Sequence, residues 1–228
     1  MISENLISVK RRMKEAAQKS GRGLESVELV VVSKGVSLAK IIEAKSAGAV
    51  VFGESRVQEA ADKIAVLGHS GIRWHLIGHL QKNKVKHVLG LFDLIHSVDS
   101  LELAGLIEKL GGGAVTPILI QVNVSGEAAK FGVAPNKLEP LLASVSKLAG
   151  VRVEGLMTIP PYDPDPEKSR KHYACLRELR DRLDKIRIEN ISLGRLSMGM
   201  SNDFMIAIEE GATLVRVGTA IFGERQSG

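Results

Sequence analysis

A lysine stands where the first predicted strand ends, in a position where its amine could do covalent chemistry. The apolar run LVVVSK closes with Ser33 and Lys34, and the residues upstream of this pair in the run are leucine and valine. A lysine amine among apolar side chains has a lowered pKa, and its neutral form can attack an aldehyde to give a Schiff base. A snorkelling or salt-bridged lysine is the structural alternative at such a position.

The last apolar run predicts a second kind of chemistry, the binding of a phosphate group. This run, TLVRVGT, ends with Gly218 and Thr219 in a turn before a short helix. Backbone N–H groups at such a turn point outward, glycine permits close approach of a ligand, and the threonine hydroxyl adds a donor. The preceding loop supplies Gly199 and Ser201 directly before another predicted helix, where N-capping by Ser201 is a compatible alternative.

Arg216 lies at the end of the last predicted strand, where its side chain points either into a barrel mouth or outward to a helix. A phosphate-bearing aldehyde with a ring nitrogen would use a lysine, a phosphate site and a third polar group, and pyridoxal 5'-phosphate (PLP) fits that description. His75 and His79 in HLIGH are four residues apart, but no glutamate follows the first histidine and the segment crosses a strand end. We therefore predict no metal site.

These groups need a scaffold that brings strand ends together. Eight apolar runs alternate with segments of helical periodicity, and the runs are nearly continuous, as in parallel strands covered by helices. Eight strand–helix units in 228 residues predict one α/β domain, a (β/α)8 TIM barrel with its active groups at the carboxyl ends of the strands. An open doubly wound sheet is the alternative, but no glycine-rich nucleotide motif follows any strand. The runs span 29–34, 49–53, 73–78, 93–98, 117–125, 151–159, 192–199 and 213–219.

The remaining segments complete the domain prediction. Residues 1–20 form an amphipathic leading helix, the barrel occupies 28–223, and no linker divides 1–228 into two domains. No apolar stretch approaches the roughly 20 residues of a membrane span, and the N-terminus lacks the apolar region of a secretory signal. With a single cysteine, Cys175, these features predict a cytoplasmic protein without a membrane partner.

Composition and charge argue against two other classes of protein. A hydrophobic fraction of 44% and a charged fraction of 25% are typical of an ordered globular chain rather than a disordered one. The net charge is only +5, and the most basic run, 168–187, carries acidic residues at helical spacings. One Trp and two Tyr give few rings on which bases could stack, so we expect no nucleic-acid partner.

The chain resembles the pyridoxal phosphate homeostasis family, single-barrel proteins similar to the N-terminal domain of alanine racemase. The resemblance covers almost the whole length and implies a fold-type III PLP protein. It implies that Lys34 carries the Schiff base, that Ser201, Gly218 and Thr219 hold the phosphate, and that Arg216 approaches the pyridine nitrogen. The blocks that carry it are VVVSK, FGESRVQEAADK, WHLIGHLQKNKVK, GLMTIPP and LSMGMSNDFMIAIEEGATLVRVGTAIFGER.

Two further site residues follow from the resemblance alone. Met157 in GLMTI would lie against the cofactor ring. Ser55 stands in FGES where the family commonly has asparagine, so a contact from this position would be shorter, and Arg56 could fill the space. An arginine beside the ring nitrogen keeps that nitrogen unprotonated, which makes the ring a weaker electron sink than in sites that use an aspartate.

The resemblance also implies a function, which is to carry or buffer PLP in vitamin B6 homeostasis, with effects on amino-acid and keto-acid balance. PLP-dependent apoenzymes are the expected recipients, and a monomer is the expected state. Alanine racemases also use a tyrosine from a second domain; here the sequence ends ten residues after Gly218, and nothing in it directs Tyr162 or Tyr173 to the site. We therefore expect no significant catalysis. The alternatives are a small PLP-dependent racemase or lyase with Lys34 as base, and a phosphosugar enzyme without PLP.

Overall fold

A computed structural model describes residues 1–224, and its centre is a closed barrel of eight parallel strands. Each strand pairs with the next in sequence, and the last closes on the first through pairs such as Leu29 with Val215. The predicted (β/α)8 barrel is therefore confirmed. The strands are β1 (Glu28–Val32), β2 (Val51–Glu54), β3 (Arg73–Leu76), β4 (Leu94–Val98), β5 (Thr116–Gln121), β6 (Val151–Met157), β7 (Ile191–Ser197) and β8 (Leu214–Val217).

Helices follow the strands on the outside of the barrel, and one precedes them. Ser100 caps its helix as its residue type predicts, with its hydroxyl accepting a hydrogen bond from the backbone N–H of Leu103. Within residues 1–224 no helix is long and apolar enough to cross a membrane. The helices are α1 (Ile2–Lys19), α2 (Leu38–Ser46), α3 (Val57–Leu67), α4 (Val85–Val88), α5 (Leu101–Leu110), α6 (Leu138–Val145), α7 (Arg170–Ile186), α8 (Phe204–Glu209) and α9 (Thr219–Phe222).

The leading helix α1 packs against α8 and α9, the helices beside the predicted phosphate site. Its buried side chains recur at helical spacing, from Leu6 through Val9 to Met13. Asn5 donates a hydrogen bond to the carbonyl of Ile221 at 2.9 Å, which ties the start of α1 to α9. The extra helix thus braces the outer side of the last two units of the barrel.

Apolar side chains fill two separate layers, one inside the barrel and one between the strands and the helices. On β1 the side chains alternate, since Val30 and Val32 join the inner cluster and Val31 joins the outer one. The inner cluster also contains Val51, Ile77, Leu94, Leu119, Met157 and Leu214. This alternation continues past the end of β1 and decides which side chains face the barrel mouth.

The fifth strand ends earlier than its apolar run predicts. β5 stops at Gln121 because the chain then pairs with its own loop, where Val133 N–H donates to the carbonyl of Gln121 and Asn123 N–H donates to that of Val133, both at 2.9 Å. The loop between these residues carries Phe131 to the barrel mouth, where the ring of His79 stacks on it with 3.6 Å between centroids. An apolar run alone does not distinguish a strand from such a folded loop.

Candidate functional site

A cavity of about 280 Å³ opens at the carboxyl ends of the strands and brings together six of the seven predicted site residues. A larger cavity of about 1120 Å³ adjoins it and shares Lys34 and Ser55. Lys34 therefore lies at the junction of the two. The predicted residues that line the smaller cavity are Lys34, Ser55, Ser201, Arg216, Gly218 and Thr219.

Met157 is the predicted residue that lies apart from these six. Its side chain is fully buried in the inner apolar cluster with Val32 and Ile77, both of which line the smaller cavity. Met157 is not among the described residues that line either cavity. Its contact with a cofactor ring stays a prediction.

The backbone on both sides of Lys34 is anchored to neighbouring elements. The Ser33 hydroxyl donates to Glu54 Oε1 at 2.6 Å, at the end of β2. On the other side, the N–H of Gly35 donates to Glu59 Oε1 on α3. Gly35 has φ of +69°, in the left-handed region that favours glycine, so the chain turns sharply just after the lysine.

A buried lysine joins these anchors into one cluster, which we call the outer ion cluster and which consists of Ser33, Glu54, Glu59 and Lys63. Lys63 Nζ donates to Glu54 Oε1 at 2.8 Å, to Glu59 Oε1 at 2.6 Å and to the Ser33 carbonyl at 2.7 Å. Its side chain is only 8% exposed. The cluster lies between the barrel and α3, so it holds the Lys34 segment from outside the barrel.

Glu54 is a fully buried carboxylate within the outer ion cluster. Burial raises its pKa, and this effect outweighs the hydrogen bonds from Lys63 and Ser33. Its second oxygen, Oε2, is buried and has no hydrogen-bond partner among the described residues. The cluster therefore leaves one buried acceptor without a hydrogen bond, while Lys63 forms the ion pairs with Glu54 Oε1 and Glu59 Oε1.

Arg216 points into the barrel mouth, with only 3% of the residue exposed. Nη1 donates to Ser197 Oγ at 2.5 Å and Nη2 donates to the Thr158 carbonyl at 2.9 Å. Burial lowers the pKa of Arg216 to about 10, so the guanidinium remains charged at neutral pH. No carboxylate of residues 1–224 forms an ion pair with it.

The donor chemistry of Arg216 provides a test of whether a PLP-like group fits the cavity. A guanidinium has five N–H donors and no acceptor, and the hydrogen bonds of Arg216 within the described chain use two of its nitrogens. A buried cation without a carboxylate is costly unless an acceptor completes its surroundings. A ligand with a ring nitrogen or an anionic group would supply that acceptor, so the residues present fit PLP.

The loop before α8 and the turn before α9 are fixed to each other. Ser201 Oγ accepts hydrogen bonds from the N–H groups of Gly218 and Ala220, both at 3.3 Å. Gly199 has φ of +91°, and a Cβ there would lie 2.5 Å from the Ala207 Cβ, so this loop requires glycine. The two segments therefore place the Ser201 hydroxyl and Thr219 at one side of the cavity, with the N–H groups of Gly218 and Ala220 already bonded to Ser201.

Asp203, a buried residue that was not predicted from the sequence, also holds the loop before α8. Asp203 accepts hydrogen bonds from the N–H of Met200 at 2.8 Å, from Ser169 Oγ at 2.9 Å and from Tyr173 Oη at 2.7 Å. Burial raises the pKa of Tyr173, and the carboxylate of Asp203 adds to that shift. Tyr173 is thus a structural residue that ties α7 to the loop.

Tyr162 corrects one expectation from the sequence. Nothing in the sequence directs it to the site, yet the structure places it among the residues that line the cavity of Lys34 and Arg216. It lies in the loop after β6, which the Asn202 side chain joins by donating to the Asp163 carbonyl at 3.0 Å. This folding of the proline-rich loop across the mouth has no signature in strand or helix periodicity. Tyr162 is 79% exposed, so it lies at the rim.

The histidines of HLIGH lie in different surroundings. His75 is buried inside the barrel, whereas His79 is exposed, stacks on Phe131 and lines the larger cavity. In residues 1–224 no group of three or more histidine, cysteine, aspartate or glutamate side chains is placed to hold a metal ion.

Comparison with known proteins places this geometry in a family. The family described as the alanine racemase N-terminal domain matches residues 5–226. A pyridoxal phosphate homeostasis protein of Aquifex aeolicus (strain VF5) is 47% identical over 225 residues, which cover 98% of both chains. A protein of the same description from Pseudomonas aeruginosa is 43% identical over 229 residues, covering 100% of this chain and 97% of that protein.

Solved structures agree with the sequence relatives. PipY of Synechococcus elongatus PCC7942 without PLP is 37% identical, has a TM-score of 0.88, and the match covers 98% of this chain and 100% of PipY. The PLP-bound structure of PipY matches over the same shares with 36% identity and a TM-score of 0.84. The chain therefore belongs to the pyridoxal phosphate homeostasis proteins, within the family of the alanine racemase N-terminal domain.

Proposed function

We propose that this protein binds PLP covalently through Lys34 and thereby carries or buffers the cofactor in vitamin B6 homeostasis. The observation that carries this proposal is a single cavity that joins the lysine, a buried arginine without a carboxylate partner in residues 1–224, and the paired turns at Ser201 and Gly218. A phosphosugar would use the phosphate-binding turns, but it would leave the lysine and the arginine without a role.

Each group of the cavity has a distinct task in this proposal. PLP supplies an aldehyde that condenses with a primary amine with loss of water. Lys34 supplies the amine, and the outer ion cluster holds its backbone. Ser201, Gly218 and Thr219 receive the phosphate. Arg216 would donate a hydrogen bond to the ring nitrogen and would keep its own proton, because its pKa of about 10 lies well above neutral pH.

The relatives extend this proposal to the cell. Relatives described as PLP homeostasis proteins are 35–47% identical to this chain, and PipY has been solved with PLP bound. We extend that role here, with release of PLP to PLP-dependent apoenzymes from a monomeric, cytoplasmic carrier. The effect on amino-acid and keto-acid balance then follows from the supply of PLP to the enzymes of that metabolism.

A racemase or lyase is the second candidate because Tyr162 lies at the same cavity as Lys34. Two-base chemistry needs an acid–base group held within hydrogen-bond reach of the reacting carbon. Tyr162 is 79% exposed and makes no hydrogen bond within the described chain, so nothing there fixes it in such a position. Incubation of the PLP-loaded protein with L-amino acids, followed by chiral chromatography, distinguishes the two; turnover at ordinary enzyme rates would favour the racemase.

The visible absorption spectrum tests the binding proposal. Addition of PLP to the purified protein should produce the absorption band of lysine-bound PLP, and Lys34→Ala should abolish it. Lys84→Ala is the matched control, since Lys84 is another lysine that lines the adjoining cavity. A band that survives in Lys34→Ala, or that disappears in Lys84→Ala alone, would contradict the proposal.

A further inference from the structure

Four buried side chains form a continuous hydrogen-bonded chain across the barrel interior, from β3 and β4 to β7 and β8. His75 Nδ1 lies 3.1 Å from His96 Nε2, and His96 Nδ1 lies 2.9 Å from Ser197 Oγ. Arg216 Nη1 donates to the same Ser197 oxygen at 2.5 Å. All four residues are at most 3% exposed. The binding of PLP proposed above gives no task to the two histidines.

The chemistry of the donors fixes the direction of this chain. Arg216 can only donate, so Ser197 Oγ accepts from it. The hydrogen bonds of Ser197 Oγ within the described chain go to Arg216 and His96, so its own hydrogen has His96 Nδ1 as its acceptor. His96 therefore carries its hydrogen on Nε2 and donates to Nδ1 of His75. His75 in turn carries its hydrogen on Nε2.

The surroundings keep both imidazoles neutral. Burial lowers the pKa of His75 to about 3, and the nearby cations Arg195 and Arg73 add to the shift. Burial also lowers the pKa of His96 well below its usual range, with further contributions from His75, Arg216 and Arg195. The two neutral imidazoles and Ser197 therefore offer Arg216 an acceptor without adding a negative charge that would compete with a ligand.

We propose that His75 and His96 are positioning residues, which act through Ser197 to hold the Arg216 guanidinium toward the cavity as two neutral Nε2–H imidazoles. Ser197 Oγ and the Thr158 carbonyl each take one N–H of the guanidinium fork. The remaining donors then face the ligand side in a fixed orientation, and a fixed orientation reduces the entropy lost on binding. The effect on PLP binding rests on the function proposed above, whereas the tautomers do not.

Nitrogen NMR of the uniformly 15N-labelled full chain, without PLP, tests the direction of the chain. His75→Gln and His96→Gln identify the two signals by their loss. We expect both rings to show the neutral Nε2–H pattern, unchanged between about pH 5 and pH 9, where an ordinary histidine titrates. An Nδ1–H tautomer at His96, or titration of either ring near its ordinary pKa, would overturn the proposal.

A pair of substitutions at one position tests the positioning of Arg216. His96→Gln retains an acceptor for Ser197 and a donor for His75, whereas His96→Met has a similar size and retains neither. We expect the PLP dissociation constant to rise about tenfold in His96→Met, as is typical of the loss of a supporting hydrogen bond behind a ligand contact. His96→Gln should remain close to wild type.

Two further measurements keep this test decisive. Ser197→Ala removes the link itself and should weaken PLP binding as His96→Met does, while Val98→Ala removes buried side-chain volume elsewhere on β4 and serves as the control for lost stability. Equal PLP affinities in His96→Gln and His96→Met, or wild-type affinity in Ser197→Ala, would overturn the proposal. If the wild-type protein bound no PLP, the proposed function would fail, and the NMR result would still decide the tautomers of His75 and His96.

Discussion

The two cations that face the cavity are held by opposite kinds of surroundings. The segment of Lys34 is held from outside the barrel by the outer ion cluster, where Lys63 joins two glutamates. Arg216 is held from inside the barrel by neutral groups, a serine hydroxyl backed by two histidines and a carbonyl. The outer ion cluster anchors the backbone on both sides of the lysine, whereas the hydrogen-bonded row of His75, His96 and Ser197 contacts the guanidinium itself.

This difference follows from what each cation must do in the proposed function. The amine of Lys34 has to lose its charge and form a bond. Arg216 has to keep its proton and its orientation, and neutral acceptors allow this without satisfying its charge. The backbone beside the lysine is thus anchored by an ion cluster, and the guanidinium of Arg216 is anchored by neutral hydrogen-bond acceptors.

Substitution of Lys63 should have the largest expected effect, a loss in the free energy of unfolding. Lys63→Met leaves Glu54 and Glu59 without their shared cation, and breaking a buried ion pair by removing one partner costs about 3–5 kcal/mol. Urea denaturation should show a loss of that size, whereas Lys40→Met, at an exposed lysine of α2, should change the free energy of unfolding little. A loss below about 1 kcal/mol would mean that the cluster behaves as a surface ion pair.

The buried histidine His75 should make the stability of the protein depend on pH. The folded pKa of His75 is about 3 and its ordinary value is 6.5, so on acidification the unfolded state binds a proton that the folded state refuses. Stability is therefore complete above pH 6.5 and is lost as the pH falls; from pH 8 to pH 5 this one group should cost about 2 kcal/mol. Urea denaturation at the two pH values measures it. His75→Gln is the comparison, and an equal loss in both proteins would refute the assignment.

Substitution of Arg216 should affect the ligand more than the fold. Arg216→Lys keeps a positive charge but loses the planar fork that donates to Ser197 and Thr158. We expect the PLP dissociation constant to rise about tenfold, as for the loss of one charge-assisted hydrogen bond. Equilibrium titration followed by absorbance measures the change. Unchanged affinity would show that any cation at this position is sufficient.

The smallest effect is expected at the rim of the cavity. Tyr162→Phe removes a hydroxyl that makes no hydrogen bond within residues 1–224 from a side chain that is 79% exposed. The affinity for PLP and the free energy of unfolding should both remain at the wild-type values. A clear loss of PLP affinity would show that the loop after β6 closes over the bound cofactor and that Tyr162 contacts it.

The sequence predicts the barrel and the place of the two cations at its mouth. Eight apolar runs and a lysine at a strand end place Lys34, Arg216 and the glycine turn of 218 at one mouth, because parallel strands in a barrel end on the same face. These features depend on local pattern and on a topology with few alternatives. They required no knowledge of which helix face packs against which strand.

The supports of the two cations could not be predicted in the same way. In the sequence, Lys63 looks like an ordinary exposed charge of an amphipathic helix. Its burial arises only when α3 packs beside Glu54. His75 and His96 are 21 residues apart, and their contact depends on the register of β3 and β4. A weak signal was available in DLIHSV, where a histidine interrupts an apolar run and must therefore find a partner inside the barrel.

One measurement tests the central claim most directly, that PLP is held by the amine of Lys34. The protein is incubated with PLP, reduced with borohydride, digested, and the modified peptide is identified by mass spectrometry. We predict that the label lies on Lys34, at the end of β1, and that Lys84 and Lys63 remain unlabelled. A label on another lysine, with Lys34 unmodified, would contradict the account.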